Sequence, residues 1–273
     1  MAGEDRQPKQ TSWRRHESAG QRSLEPGSRL QGCGRGRRLG ATVPHGRYRN
    51  VSGGGHTEGV FSADDLVDVL PDLARVRPVF HSEADFQHAL AWQVQLTNPQ
   101  LRVRLETRPE PGVHLDLLVC DPSDGFRLAV ELKYLTDHWE GEVDGESFNL
   151  KQHGASDLGG YDSIKDVCRL ERFVASRYAD AGALIILSND PIYWTVPTHG
   201  RITSGDAFRL HEGVVLSGQR AWGPNTGAGT MAGGRTLPIE LAGTYPLHWE
   251  DYSRVAGKRG LFRRLALLVA AAQ

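Results

Sequence analysis

The sequence contains few cysteines, and their placement argues against two common ways of stabilising a chain. Three cysteines occur among 273 residues, Cys33, Cys120 and Cys168, and none belongs to a CxxC pair. An odd number of widely spaced thiols is not expected of a disulfide framework or of a structural zinc site. We therefore expect a cytoplasmic protein, because thiols stay reduced in that compartment.

Long apolar runs are also missing. No stretch approaches the roughly 20 apolar residues that a membrane-spanning helix requires, and the run at 265–272 is too short. The first residues lack the apolar segment of a secretory signal. No GxSxG motif supports a serine hydrolase, and the histidines lack metal-ligand spacing. We predict that the protein has no membrane partner.

The net charge of −1 hides two regions of opposite sign. Residues 1–55 hold 11 of the 32 basic residues but only 4 of the 33 acidic ones, an excess of 7 positive charges. The remainder holds 21 basic and 29 acidic residues, an excess of 8 negative charges. An acidic main body argues mildly against strong, autonomous binding to nucleic acid.

The basic region is predicted to be a disordered tail, rich in Gly and Arg, over residues 1–59. Its composition cannot bury enough apolar surface to offset the loss of chain entropy on folding. The densest basic segment, residues 32–38, has three interpretations: a non-specific nucleic-acid tail, a solvated segment, or sequence upstream of the true translation start.

Order is predicted over residues 60–273, beginning with two helices. Ser62 is a helix-start signal, and Pro71 is expected to end or offset the helix that follows it. A second helix is predicted to begin after Ser82 and to run from Glu83 to about residue 94. Asp85 stands at the capping-box position of this helix.

A β-hairpin is predicted after a first strand at residues 101–105. In the segment 113–119, apolar residues alternate with a second set that contains Asp116. A turn signal at 121–125 separates this segment from a partner strand at 127–134. Glu131 and Lys133 lie two residues apart on the partner strand and therefore face the same side.

The rest of the chain is predicted with less regularity. Residues 135–160 are polar and contain glycine, which favours a long loop. A helix is expected at 162–176 and a buried central strand at 183–187. The glycine-rich region 217–236 is expected to loop out, and weaker strands are predicted at 238–241 and 246–249.

The chemistry is carried by Asp116, Glu131 and Lys133. Adjacent strands are about 4.8 Å apart, so Asp116 can face Glu131 across the hairpin. Two carboxylates and an ammonium on an apolar sheet face are costly to desolvate, and a chain selected for stability alone would not retain them. A divalent cation between the carboxylates relieves the repulsion, and hard oxygen ligands suit Mg²⁺, with Mn²⁺ as a substitute.

These residues resemble the PD-(D/E)xK nuclease superfamily. The segment Ala-Val-Glu-Leu-Lys-Tyr at 129–134 looks like its E-x-K strand, and His-Leu-Asp-Leu-Leu-Val at 114–119 looks like the preceding strand. Leu115 stands where the family usually has proline. The resemblance implies an α/β fold with a restriction-endonuclease-like αβββαβ core, a mixed central sheet flanked by helices. This core would cover about residues 80–190, with a β-rich extension at 191–273.

The resemblance also implies an activity, hydrolysis of phosphodiester bonds in nucleic acid, with DNA favoured over RNA. Asp116, Glu131 and Lys133 would be catalytic, with Asp116 and Glu131 as metal ligands. Members of the superfamily often carry a glutamate on the first core helix, and Glu83 matches it by position and by face. Glu83 would then be a fourth catalytic residue and a third metal ligand, with Asp85 as its competitor.

Gln152 and Lys165, which follow the E-x-K strand in the sequence, are candidate substrate ligands. Some superfamily members place a Gln or Tyr there to contact the substrate phosphate, and Gln152 matches this pattern loosely. Lys165 could meet phosphate or pair with Asp162 on a solvated helix. Similarly, Asp166 and Arg169 either pair with each other at the surface or point inward and orient the metal cluster.

Two other functions remain open at the level of sequence. The fold could serve as a catalytically weak or inactive module for nucleic-acid binding or protein assembly. Alternatively, Glu131 and Lys133 could form a surface ion pair in a structural protein, which would require an exposed strand. A homodimer is retained as a partner state that the sequence neither requires nor excludes.

Overall fold

A computed structural model describes residues 61–198 and 200–271. The predictions made for residues 1–59, including the basic segment 32–38, lie outside these described residues. The helices are α1 (Ala63–Val76), α2 (Glu83–Thr97), α3 (Ser156–Ala175) and α4 (Ala228–Met231). The strands are β1 (Arg102–Thr107), β2 (Leu115–Cys120), β3 (Arg127–Leu135), β4 (Trp139–Val143), β5 (Glu146–Leu150), β6 (Ala181–Ser188), β7 (Val215–Arg220), β8 (Ile239–Pro246), β9 (Trp249–Arg254) and β10 (Leu261–Ala270).

Six strands form a mixed central sheet in the order β1-β2-β3-β6-β10-β9. The neighbours β3 and β6 are parallel, whereas the other neighbouring pairs are antiparallel. The parallel pair requires a crossover, which α3 supplies between the two strands. The predicted α/β class with a mixed sheet flanked by helices is therefore confirmed.

Two apolar cores cover the opposite faces of this sheet. Leu128, Val130 and Leu132 of β3 point to the core that contains α1, α2 and the β4–β5 hairpin. Ala129 points to the other core, built with α3 and with the hairpin of β7 and β8. Because side chains alternate along a strand, Glu131 and Lys133 share the face of Ala129 and lie beneath α3.

The first helix does not end at Pro71, so this prediction was wrong. Helix α1 continues through Pro71 to Val76. A proline inside a helix removes one backbone hydrogen bond, but burial of Leu66, Leu70 and Leu73 against the sheet outweighs that loss. The start of the helix is as predicted, with a complete capping box at Ser62.

The predicted loop at 135–160 was also wrong, because it contains the β4–β5 hairpin and the first turn of α3. Asp144 and Gly145 form the turn, with φ angles of 53° and 82°. Asp-Gly is a strong hairpin signal, since both positions of a tight hairpin turn require positive φ. Trp139 and Phe148 anchor the hairpin in the core, although polar neighbours hide their alternation in the sequence.

The C-terminal region contains more strand than the sequence indicates. Strand β8 extends the weak prediction at 238–241, and β7 occupies the start of the predicted glycine-rich loop. The predicted strand at 246–249 was wrong, because these residues span the end of β8, a two-residue connection and the first residue of β9. Strand β10 includes most of the apolar run at 265–272 and pairs with β6 in the centre of the sheet. Within the described ranges, no helix is sufficiently long and apolar to cross a membrane.

Candidate functional site

The hairpin of β2 and β3 brings Asp116 next to Glu131. The last paired residues of the ladder are Leu117 and Val130, and one further step in the same register aligns the two acidic residues. At this point the ladder ends, and the Leu132 amide donates a hydrogen bond of 2.7 Å to Asp116 Oδ2 instead. The Asp116 carboxylate therefore replaces a strand partner for β3.

Glu83 performs the same role one step further along β3. As the first residue of α2, it accepts a 2.9 Å hydrogen bond at Oε2 from the amide of Tyr134. Glu83 and Asp116 thus bind alternate amides on one edge of β3, which explains their local structural role. Within the described ranges, neither Glu83 Oε1 nor Asp116 Oδ1 accepts a hydrogen bond or forms an ion pair.

The carboxylate of Glu131, by contrast, is fully engaged. Glu131 is only 1% exposed, and Arg169 of α3 binds both of its oxygens, Nε to Oε1 at 2.8 Å and Nη2 to Oε2 at 2.8 Å. A bidentate guanidinium–carboxylate pair is among the strongest and most directional ion pairs in proteins. Glu131 therefore anchors α3 to β3.

Asp166 extends this ion-pair network to Lys133. Its Oδ1 lies 2.7 Å from Arg169 Nη2, and its Oδ2 lies 2.7 Å from Lys133 Nζ. The second contact is a close ion pair without a well-directed hydrogen bond, since Oδ2 makes none. Lys133 Nζ donates instead to the carbonyl of Leu132, at 3.1 Å. We call Glu131, Arg169, Asp166 and Lys133 the locked network.

Asp166 and Arg169 point inward, as one alternative drawn from the sequence expected, and they also pair with each other, as the other expected. That they orient a metal cluster stays a prediction. Asp166 is 5% exposed because it falls on the buried stripe of α3, one turn before Leu170. The apolar stripe of α3 could have indicated this orientation from the sequence, since a carboxylate at an apolar position needs a buried partner. The predicted pair of Asp162 with Lys165 is not formed.

The whole cluster carries more negative than positive charge. Four carboxyl groups (Glu83, Asp116, Glu131 and Asp166) surround two basic groups, so two negative charges are in excess when all are ionised. Burial, and then the charge of Asp166, raises the pKa of Glu131 to about 8, despite the opposing effect of Arg169. Burial likewise raises the pKa of Asp116, and the charges of Glu83 and Asp166 add to the shift.

Lys133 keeps its proton in this environment. Burial alone would lower the pKa of its ammonium, but the charges of Asp166 and Glu83 reverse this effect and raise the pKa above its usual value. An ammonium so held is a fixed positive charge and hydrogen-bond donor at neutral pH. It can neutralise a phosphate oxygen or orient a water molecule.

An open cleft of about 540 Å³ gives access to this cluster. Glu83, Lys133, Asp166 and Arg169 line it, whereas Asp116 lies beside it, half-buried. The other lining residues are Leu135, His153, Gly154, Ala155, Leu158, Gly159, Asp162, Lys165, Tyr193 and Arg235.

The two predicted substrate ligands differ in their relation to the cleft. Lys165 is exposed and lines the cleft, and it has no ion-pair partner among the described residues. Gln152 is exposed beside the lining residue His153 but does not itself line the cleft. Its contact with substrate therefore stays a prediction.

Asp85, the alternative to Glu83 as the acidic residue of the site on α2, has a separate role. Asp85 accepts hydrogen bonds from the amide of His81 at 2.9 Å and from Arg77 at 2.8 Å. Its own amide donates to the hydroxyl of Ser82, the cap of α2. Asp85 therefore stabilises the start of the helix and leaves Glu83 as the residue that enters the cleft.

Three lining residues were not found by sequence reasoning: His153, Tyr193 and Arg235. The Nδ1 of His153 lies 3.1 Å from the backbone nitrogen of Thr136 and accepts a hydrogen bond from it. Tyr193 belongs to a short 3-10 turn, and Arg235 follows two glycines in the β7–β8 connection. No local pattern marks either residue, because only the tertiary fold brings them to the cleft.

Two carboxylate oxygens at the cleft, Glu83 Oε1 and Asp116 Oδ1, are of the ligand type that Mg²⁺ prefers. No group of three or more His, Cys, Asp or Glu in residues 61–198 and 200–271 is arranged to hold a metal. Mg²⁺, however, usually retains several waters and binds one or two carboxylates together with substrate phosphates. The free oxygens of Glu83 and Asp116 supply such a pair, whereas Glu131 would first have to exchange Arg169 for the ion.

Comparison with known proteins adds no relative to this description. No protein family matches the chain, and neither a curated protein nor a solved structure matches it. The chemistry of the cleft therefore has to be argued from its own residues.

Proposed function

We propose that the protein is a Mg²⁺-dependent nuclease that hydrolyses phosphodiester bonds, with DNA favoured as substrate. The proposal includes a restriction-endonuclease-like core, because a helix, three antiparallel strands, a crossover helix and a parallel strand occur in this order from Glu83 to Ser188, with the β4–β5 hairpin inserted before the crossover helix. The observation that carries it is a pair of carboxylates with free oxygens beside the Lys133 ammonium, at an open cleft.

The roles of the residues follow from their contacts. Asp116 and Glu83 would hold Mg²⁺, or Mn²⁺ in its place. The ion would polarise the scissile phosphate and lower the pKa of a water molecule. Lys133 would orient the attacking water and neutralise charge on the phosphate, and Lys165 would bind phosphate at the rim. Glu131 is retained as a candidate metal ligand, and in the metal-free arrangement it fixes Arg169.

One observation favours the alternative of a weak or inactive module. Both oxygens of Glu131 are bound to Arg169, and Lys133 is paired with Asp166, so much of the charge is already neutralised within the protein. A nuclease fold that retained these pairs at all times could bind nucleic acid or assemble with a partner without efficient cleavage. A cytoplasmic setting and a homodimer remain part of the proposal.

A cleavage assay tests the proposal. The full chain is incubated with single- and double-stranded DNA and RNA in Mg²⁺, in Mn²⁺ and in EDTA. We expect cleavage with either ion and none in EDTA, and we expect Glu131→Ala and Lys133→Ala to lower the rate at least a hundredfold. Lys151→Ala, an exposed lysine outside the cleft, is the matched control and should retain the full rate.

The outcomes separate the two candidate functions. Metal-dependent cleavage that survives both substitutions would show that the nuclease site lies elsewhere. Binding of nucleic acid without cleavage under any metal condition would support the inactive module.

A further inference from the structure

The rim of the cleft contains a hydroxyl without a partner. Tyr193 is only 4% exposed, yet its hydroxyl makes no hydrogen bond to any residue in the described ranges. Gly159 of α3 lies against it so closely that a Cβ there would be 2.5 Å from the hydroxyl oxygen. The hydroxyl oxygen itself keeps contact with the cleft, so it is free to donate a hydrogen bond to a ligand there.

A guanidinium stands next to this hydroxyl along α3. Arg235 lines the cleft, and its Nε lies 3.9 Å from Asp162 Oδ1, a distance that makes only a weak ion pair. Nη1 donates to the carbonyl of Ala232 at 3.0 Å, which leaves Nη2 without a hydrogen bond in the described part of the chain. The preceding residues, Gly233 and Gly234, have φ angles of 71° and 82°, which turn the chain so that Arg235 reaches the cleft.

These groups lie along one side of α3 together with Lys165. Gly159, Asp162 and Lys165 follow each other at three-residue spacing and line the same cleft. At a rise of 1.5 Å per residue, the step from Asp162 to Asp166 covers about 6 Å. Asp162, which Arg235 contacts, therefore lies roughly one helical turn along α3 from Asp166 of the locked network.

We propose that Tyr193, Arg235 and Lys165 form a subsite for a backbone phosphate of single-stranded nucleic acid, adjacent to the phosphate at the acidic cluster. The inference rests on the proposed nuclease function and assigns its substrate class. Arg235 and Lys165 supply positive charge that the acidic body of the protein otherwise lacks, and Tyr193 supplies a neutral hydrogen bond. A cleft of about 540 Å³ has the size of a small-molecule pocket, which leaves room for a segment of one strand.

The subsite is tested by binding in EDTA, where no cleavage interferes. Fluorescence anisotropy is measured over a salt series with the full chain and three probes: oligothymidylate, oligouridylate and a short DNA duplex. We expect Arg235→Gln and Lys165→Gln each to weaken binding of the single strands about tenfold. Each should also lower the slope of log affinity against log salt by about 0.7, the value for one phosphate contact.

Two further variants make the test specific. Tyr193→Phe should weaken binding about fivefold without changing the salt slope, because a neutral hydroxyl releases no counterion. Arg254→Gln, an exposed arginine on β9 outside the cleft, is the matched control and should change neither quantity. Urea unfolding of each variant identifies any loss that arises from misfolding.

The results separate the subsite from the nuclease function. Arg235→Gln and Lys165→Gln variants that bind like Arg254→Gln would overturn the subsite, as would a wild-type protein that binds neither single strand. Equal dependence of duplex binding on Arg235 would overturn the assignment to single strands. Variants that shift binding in a protein that never cleaves would leave the subsite standing without the nuclease. A preference for either single-stranded probe assigns the natural source as DNA or RNA.

Discussion

Two halves of one cluster differ in how their carboxylates are satisfied. In the locked network, Glu131 and Asp166 are bound by the cations Arg169 and Lys133. In the open half, Glu83 and Asp116 each accept one backbone amide and keep one oxygen free. Both halves are attached to the same strand, β3.

The difference separates a structural function from a chemical one. The locked network connects α3 to β3 through buried, directional ion pairs, and removal of one partner would leave another charge buried alone. The open half satisfies only the edge of β3 and leaves oxygen atoms for a ligand. Strand β3 can thus carry a rigid structural contact and a group available for chemistry within a few residues of each other.

The largest effect is expected from breaking the locked network. Above the pKa of Glu131, which is raised to about 8, Arg169→Met leaves the Glu131 carboxylate buried without its partner, so the free energy of unfolding should fall by about 3–5 kcal/mol there. Urea unfolding measures it. Arg172→Met, one turn further along α3 in an exposed pair with Glu110, is the control and should cost less than about 1 kcal/mol.

A second substitution tests whether the lost stability is electrostatic. Replacing both partners with apolar residues, Glu131→Leu with Arg169→Met, should recover most of the loss, because no lone charge is then buried. A double variant as unstable as Arg169→Met alone would indicate that packing of the arginine stem, not its charge, sustains the contact.

Substitutions in the open half should change the affinity for metal instead of the free energy of unfolding. Glu83→Gln preserves an acceptor for the Tyr134 amide but removes a charged ligand, so the dissociation constant for Mn²⁺ should rise about tenfold. Isothermal titration calorimetry measures it. Asp85→Asn, two residues away on α2, should weaken the helix start and leave Mn²⁺ affinity unchanged. Equal affinities of Glu83→Gln and wild type would contradict the assignment of Glu83 as a ligand.

A smaller effect is expected from pH in the absence of metal. The pKa of Glu131 is raised from 4.5 to about 8 in the folded protein, so the folded state binds its proton more tightly than the unfolded state does. The contribution of Glu131 to stability should therefore be fully present below pH 4.5 and be lost as the pH rises through about 8. The raised pKa of Asp116 acts in the same direction.

Urea unfolding in EDTA across this pH range measures the effect. The Glu131→Gln variant should show a flatter dependence, since its amide does not titrate, and Mn²⁺ should offset part of the loss in the wild type. A wild type that gains stability relative to Glu131→Gln as the pH rises over this range would contradict the raised pKa of Glu131.

Much of the central fold was predictable because its patterns are local. Alternation along β2 and β3, the Ser62 and Ser82 caps and the continuous apolar run of β6 each identify an element. The β4–β5 hairpin was missed although Asp144 and Gly145 signalled its turn. Strand β10 was missed because its partners, β6 and β9, are determined by tertiary pairing rather than by local sequence.

The site was predictable only in part. The hairpin aligned Asp116 with Glu131 as expected, because period-two alternation and a turn determine a register. The binding of Glu131 by Arg169 could not be read from spacing, since it depends on the rotation of α3 over the sheet. The position of Arg235 at the cleft could not be predicted from the sequence, because the glycines before it do not specify the direction in which the chain turns.

The most direct test of the nuclease assignment compares two aspartate-to-asparagine variants in Mg²⁺-dependent cleavage. Asp116→Asn preserves an oxygen for the Leu132 amide but removes the charged ligand, and Asp144→Asn makes the same change in the exposed β4–β5 turn. We predict that Asp116→Asn cleaves at least about a hundredfold more slowly and that Asp144→Asn matches the wild type. Equal cleavage rates for Asp116→Asn and wild type would contradict the assignment.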